Sequence, residues 1–319
     1  MRTLSLTSIC KHLLVGSLLV FAVTSCKKDD SMPVIDPGSQ TIGAQVASNG
    51  DFSLLSEAAT KAGLVSTLEG PGPLTVFAPT DEAFAASGIT SATINTLSAD
   101  DLKSILLYHT ITSKILSSQV PAGPDAKVIT ASGDSVFVTN NSNGVFINGI
   151  NVVNADLPAS NGVIHTISKV LLPPSGNLVE TLSADTTFSY LVAAVVRAST
   201  GSVNVADVLS NGGIFTVFAP TNDAFRAAGF ATINDINAAD PGTLTSILTY
   251  HVIAGRIFSS DLTDGAAPAT LNGGAVTIAL SASAATVKGN SNSSASNIVN
   301  TNLMASNGVI HVIDQVLLP

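Results

Sequence analysis

TVFAPTDEAF, residues 75–84, recurs as TVFAPTNDAF at residues 216–225, with eight of ten positions unchanged. Thr75–Ala78 and Thr216–Ala219 are β-branched or apolar and aromatic, which predicts a strand in each copy. Pro79 and Pro220 end those strands, and Thr80 and Thr221 stand where an N-cap opens a helix. Asp81 and Glu82 in one copy, and Asp223 in the other, add negative charge to the first helical turn. The decapeptide therefore reads as strand, cap and helix start. An acidic ligand site at Asp81 and Glu82 is the functional alternative, and Asn222 weakens it in the second copy.

The repetition extends well beyond ten residues. ILLYHTITSKILSS (105–118) matches ILTYHVIAGRIFSS (247–260) at eight of fourteen positions, and ASNGVIHTISKVLLP (159–173) matches ASNGVIHVIDQVLLP (305–319) at twelve of fifteen. FSLLSEAATKAGL (52–64) aligns with FSYLVAAVVRAST (188–200) as an opening helix. The chain is thus a module of roughly 135 residues used twice, longer than solenoid repeats and large enough to enclose its own core. We place the modules at 45–174 and 175–319, joined by PPSGN (173–177).

Inside each module, Leu102, Ile105, Leu106 and His109 fall at i, i+3, i+4 and i+7, as do Leu244, Ile247, Leu248 and His251. That spacing puts each histidine on the apolar face of a helix, where an imidazole serves to hydrogen-bond backbone. Tyr108 and Tyr250 fall at the edge of the stripe, where a ring packs while its hydroxyl reaches outward. They are the candidate interaction residues. Downstream, SVFVTN and GVFING flank a hairpin turn. His165 and His311 sit in apolar runs typical of strands covered on both faces. The fold class is α+β with mostly antiparallel strands.

TVFAPT-[DN]-[ED]-AF, the Tyr-His pair, NGVIH and VLLP occur in one order twice, and this pattern resembles the fasciclin (FAS1) domain across both modules. The resemblance implies a wedge-like β-sandwich with several helices in each module. It also implies an extracellular adhesion role, with cell-surface proteins, matrix proteins or polysaccharide as partners. Thr80, His109, His165, Thr221, His251 and His311 are motif positions with a structural reading.

At the amino end, Arg2, Lys11 and His12 precede the apolar run Leu13–Val23, shorter than the roughly 20 residues of a membrane span. Val23-Thr24-Ser25-Cys26 resembles the lipobox of bacterial lipoproteins. That implies cleavage of a signal peptide, residues 1–25, and lipid on Cys26. KKDDSMPVIDPGSQ follows without periodicity, and residues 26–44 read as a flexible tether. Lys27 after the cysteine and the Lys-Lys-Asp-Asp group point to an outer-membrane lipoprotein exposed at the cell surface, with the periplasmic face as the alternative.

Lys and Arg number 13 against 22 Asp and Glu, a formal charge of −9, so the chain lacks the basic footprint of a nucleic-acid binder. Zinc asks for three or four closely spaced ligands. No HExxH helix is present, and no phosphate-binding glycine loop opens a helix. No enzyme activity, metal or cofactor is expected. Adhesion is the leading reading. A glycan-capturing lipoprotein and a self-contacting envelope protein are the alternatives, the former weakened by zero Trp and three Tyr.

Overall fold

A computed structural model describes residues 37–281 and 284–319. Residues 1–25, expected to be a signal peptide, and Cys26 lie outside the described residues. Module 1 opens with helices Ile42–Ser48, Ser53–Lys61 and Val65–Glu69, followed by strand β1 (Leu74–Pro79). Helices Asp81–Ala86, Ser91–Thr96 and Ala99–Tyr108 come next, then β2 (Thr110–Ile111), β3 (Gly123–Ile129), β4 (Ser135–Asn141), β5 (Gly144–Ile147), β6 (Ile150–Ala159) and β7 (Gly162–Ile167). The strands form one sheet in the order β2-β1-β7-β6-β5-β4-β3. Its pairs are antiparallel except β1 with β7, which run parallel in register from Leu74 against Gly162 to Pro79 against Ile167.

Module 2 repeats the plan. Helices Leu178–Ser183, Ser189–Ala198 and Val205–Asn211 precede β8 (Phe215–Pro220), and helices Asn222–Ala227, Ile233–Ala238 and Pro241–Tyr250 follow it. The strands β9 (Val252–Ala254), β10 (Thr277–Leu280), β11 (Ala285–Lys288), β12 (Ser296–Ala305) and β13 (Gly308–Ile313) then complete a sheet ordered β10-β11-β12-β13-β8-β9. Again the single parallel pair joins the repeated decapeptide strand, β8, to the NGVIH strand, β13. Two motifs more than eighty residues apart are thus hydrogen-bonded neighbours.

Each module has two main cores. One lies between the helices and one face of the sheet, with Leu55, Ala58, Phe84, Leu102 and Leu106 in module 1 and Leu191, Ala194, Phe225, Leu244 and Leu248 in module 2. The other lies inside the curl of the sheet. There Phe77 of β1 meets Val136 of β4 and Ile147 of β5, although those strands are not neighbours in the sheet order. Phe218, Ile278 and Val287 do the same in module 2. This curling gives the α+β, sandwich-like module that the resemblance implies.

The tether ends earlier than residue 44. Thr41 caps the helix Ile42–Ser48, its hydroxyl accepting from the Ala44 N–H, and Ile42 is fully buried in the module 1 core. Residues 42–44 therefore belong to the folded module. At the other join, Asn177 closes the linker by capping Leu178–Ser183 with a reciprocal capping box to Glu180.

Beyond the linker, the modules touch directly. Phe137 of β4 packs on Phe258 at 6.2 Å between ring centroids, and the Arg256 guanidinium lies 3.9 Å above the Phe137 ring. The Asn141 amide donates to Ser260 O at 3.0 Å. The Asn302 amide donates to Gly149 O at 3.2 Å, and any Cβ at Gly149, where φ is +72°, would collide with that amide.

Candidate functional site

The Tyr-His pair sits at the end of the helix Ala99–Tyr108. Ser98 and Asp101 open that helix with a capping box, and His109 is its C-cap. The His109 Nδ1–H donates to Ile105 O at 2.8 Å, while Nε2 accepts the Leu171 N–H at 2.9 Å. His251 repeats this, with Ile247 O at 2.8 Å and the Leu317 N–H at 2.8 Å. Each ring thus staples its helix to the VLLP segment that ends the module, which explains why the two motifs travel together. With one nitrogen donating and the other accepting, the ring is satisfied in its neutral form. Burial pushes both imidazoles down to about 4, against a smaller opposing effect of the backbone hydrogen bond.

Tyr108 and Tyr250 do not project from the helix stripe. Both are fully buried, in the core inside the sheet curl rather than on the helix-side core. The Tyr108 hydroxyl donates to Ser135 O at 3.1 Å and accepts from the Asn148 amide at 2.9 Å. The Tyr250 hydroxyl donates to Ala275 O and accepts the Asn290 N–H at 3.0 Å. Neither phenol is available to a partner, which corrects their assignment as interaction residues. The helix ends against strands that arrive later in the chain, and these cover the ring that an isolated helix leaves exposed.

His165 and His311 lie on the parallel strands, His165 stacked on Phe77 at 5.6 Å and His311 tilted against Phe218 at 5.7 Å between ring centroids. His165 Nε2–H donates to Ile115 O at 2.9 Å, and Nδ1 accepts the Asp156 N–H at 3.1 Å. His311 donates to Ile257 O at 2.8 Å, but its Nδ1 has no partner, and burial pushes it down to about 4. Position 156 is Asp in module 1, whereas the equivalent of module 2 is Asn302.

Thr80 and Thr221 accept the Ala83 and Ala224 N–H groups, both at 3.3 Å, as N-caps. Asp81 is not a free ligand. Its carboxylate accepts the Leu54 N–H at 2.9 Å and the Ser53 hydroxyl at 2.5 Å, tying two helices together. Asn222 makes the same tie to the Tyr190 N–H at 3.0 Å, and its amide also donates to Thr186 O.

The NG of NGVIH carries a role that motif reading did not assign. Asn161 accepts the Ile42 N–H at 2.9 Å and donates to Leu68 O and Gly70 O, so one amide holds the module's opening helices to its last hairpin. Asn307 does so for Leu178, Leu209 and Ser210. Gly162 and Gly308 follow because a Cβ there would overlap the Leu74 or Phe215 carbonyl oxygen of the parallel neighbour. The signal was present as an Asn-Gly pair repeated in both copies.

Among the described residues, no three His, Cys, Asp or Glu side chains converge as a metal site, and no helix is long and apolar enough to cross a membrane. Module 1 encloses an apolar cavity of about 130 Å³ between Phe77, Ile111, Val128 and Val138, with the His165 ring in its wall. The only ring nitrogens there are already bonded as above.

A model of the fasciclin domain matches residues 50–173 and again residues 187–319. The chain belongs to the fasciclin family. The transforming growth factor-beta-induced protein ig-h3 of Sus scrofa is 29% identical to it over 256 residues, which is 79% of this chain and 35% of that protein. Periostin of Homo sapiens is 28% identical over 259 residues, 79% of this chain and 29% of that one. Protein sll1483 of Synechocystis sp. is 40% identical over 138 residues, 43% of this chain and 75% of that protein. The fasciclin chain described here therefore spans about a third of the length of ig-h3 and periostin. The FAS1 domain pair from the insect cell adhesion molecule fasciclin I covers 85% of this chain and 98% of its own, at 20% identity and a TM-score of 0.41.

Proposed function

We propose that this fasciclin pair is an extracytoplasmic adhesion protein, held to the outer membrane by lipid on Cys26 and contacting cell-surface or matrix ligands through its two modules. The observation that supports it best is where the reactive side chains are. The imidazoles at 109, 165, 251 and 311 and the phenols at 108 and 250 are all buried in backbone-directed hydrogen bonds. The solvent-facing surface offers hydroxyl, amide and charged side chains, Glu82, Asp100, Lys103 and Lys169 among them, for recognition. The packed junction holds two such surfaces together, so a weak contact by one module raises the effective concentration for the other. Polysaccharide capture is the second reading, favoured by an amide- and hydroxyl-lined cleft where the modules meet. The test is binding of the chain to polysaccharides, matrix proteins and intact cells. Saturable binding to one class that weakens when either module is removed supports a bivalent adhesin. A folded protein that binds none of them refutes the adhesion role.

A further inference from the structure

The duplication supplies an internal comparison at the cleft. In module 2, the Asp314 carboxylate accepts the Ser296 hydroxyl at 2.9 Å, the Asn297 N–H at 2.8 Å and the Asn297 amide at 2.6 Å. Gln315 beside it donates to Ala295 O at 3.0 Å and accepts from the Ser294 hydroxyl. The corresponding residues of module 1 are Asn151, Ser168 and Lys169. The backbone link is the same in both, Ser168 N–H to Asn151 O at 3.0 Å and Asp314 N–H to Asn297 O at 3.2 Å. Yet in module 1 a short hydroxyl stands where the carboxylate does, and the side chains of Asn151, Ser168 and Lys169 make no internal hydrogen bond.

Those three side chains line one wall of the inter-module cleft, which has a volume of about 380 Å³. Module 2 provides the facing wall. There Asn300 spends its carbonyl on the Thr301 N–H at 2.9 Å, leaving its amide N–H groups and the Thr301 hydroxyl unengaged. Half-buried Phe146 and exposed Leu172 add apolar surface between the polar groups. Lys169 is the single charged residue of the lining, in a chain of net charge −9.

We infer that this cleft is a saccharide site, formed only where the two modules meet. Its volume falls within the ~300–1,000 Å³ of small-ligand sites. Free amides and hydroxyls donate and accept at once, as vicinal sugar hydroxyls require. The apolar patch suits the C–H face of a sugar ring. With no carboxylate in the lining, a metal ion lacks an anionic oxygen ligand. A lone lysine offers phosphate one point charge and no bidentate fork, and it suits a neutral sugar or the single carboxylate of a uronic acid. The inference rests on the polysaccharide reading of the adhesion role and gives it a place.

The test uses the full-length chain in detergent micelles on an array of neutral glucans and mannans and of uronate polymers such as polygalacturonate. Saturable binding is expected, weakened about fivefold by Asn151→Ala and by Thr301→Ala, one from each wall. Ser168→Asp gives module 1 the carboxylate that occupies Asn297 in module 2, and it abolishes binding with the melting temperature held or raised. Binding to uronate polymers that is lost in salt and with Lys169→Gln assigns the ligand as acidic. Binding to neutral glycans that is indifferent to salt assigns it as neutral. Glycan binding that survives all these substitutions overturns the site. Adhesion to cells without glycan binding overturns the saccharide and leaves the adhesion role standing, whereas loss of both refutes the two together.

Discussion

Lowering the pH from 7.5 to 5.0 acts unequally on the two modules. His109 is the buried imidazole pushed down to about 4 in module 1, and His251 and His311 are the two in module 2. Unfolded, each titrates near 6.5, so between 6.5 and 4 the unfolded chain binds more protons than the folded one. Stability then falls as pH falls through that window. A shift from 6.5 to about 4 costs each histidine about 2 kcal/mol at pH 5 and about 3 kcal/mol at pH 4. Module 2 therefore loses about 4 kcal/mol at pH 5, close to the whole stability of a marginal domain, and module 1 about 2 kcal/mol. Asp125 works in the opposite direction. Burial and the neighbouring Asp261 raise it to about 6, so its folded form gains stability as pH drops below 6. It is half exposed, and solvent screening holds that gain to under about 1 kcal/mol. Asp125 belongs to module 1, so it widens the difference. The assay is urea unfolding at both pH values, read peptide by peptide through hydrogen–deuterium exchange. At pH 5.0 the peptides of module 2 should open at a lower urea midpoint than those of module 1. Equal midpoints at pH 5.0, or a module 1 that opens first, would refute the assignment of the histidines as buried neutral staples.

His109→Ala strands the Leu171 N–H and leaves a cavity, for a loss of about 2–4 kcal/mol in chemical denaturation, while surviving protein still reaches the cell surface. Gly162→Ala drives a methyl into the Leu74 carbonyl oxygen and should cost at least about 2 kcal/mol; a neutral result would disprove the close approach of the parallel strands. Thr221→Ala removes one helix cap for about 1 kcal/mol, visible as a shifted urea midpoint without change of slope. Cys26→Ser should move the protein from the membrane fraction to the soluble extract, and retention in the membrane would refute lipid anchoring there.

What was legible in the chain was what local chemistry decides. A strand ended by proline and followed by Thr80 or Thr221 needs only its neighbours to specify cap and helix. The apolar spacing around His109 and His251 likewise announced buried imidazoles. The phenols were misread because the neighbours that cover them come from far along the chain: Ser135 and Asn148 for Tyr108, Ala275 and Asn290 for Tyr250. Asn161 was missed for the same reason, since its partners lie about ninety to one hundred and twenty residues away. The start of the helix Ile42–Ser48, residues 42–44, fell into the tether because only Ile42 and Val46 mark its apolar side, and their burial depends on strands and helices not yet made. The cleft left no motif at all. It exists only once the modules are in contact.

Asp156 and Asn302 occupy the same position in the two copies, and each closes its own loop, on Ser117 and Ser259 respectively. Only the second also donates to the other module, at Gly149 O. A carboxylate offers no proton to a carbonyl oxygen and is repelled by it. Exchanging the halves, so that the present first module followed the second, would set Asp156 against an acceptor with nothing to give. That one junction bond is directional: it forms with the copies in their present order and is lost in the other.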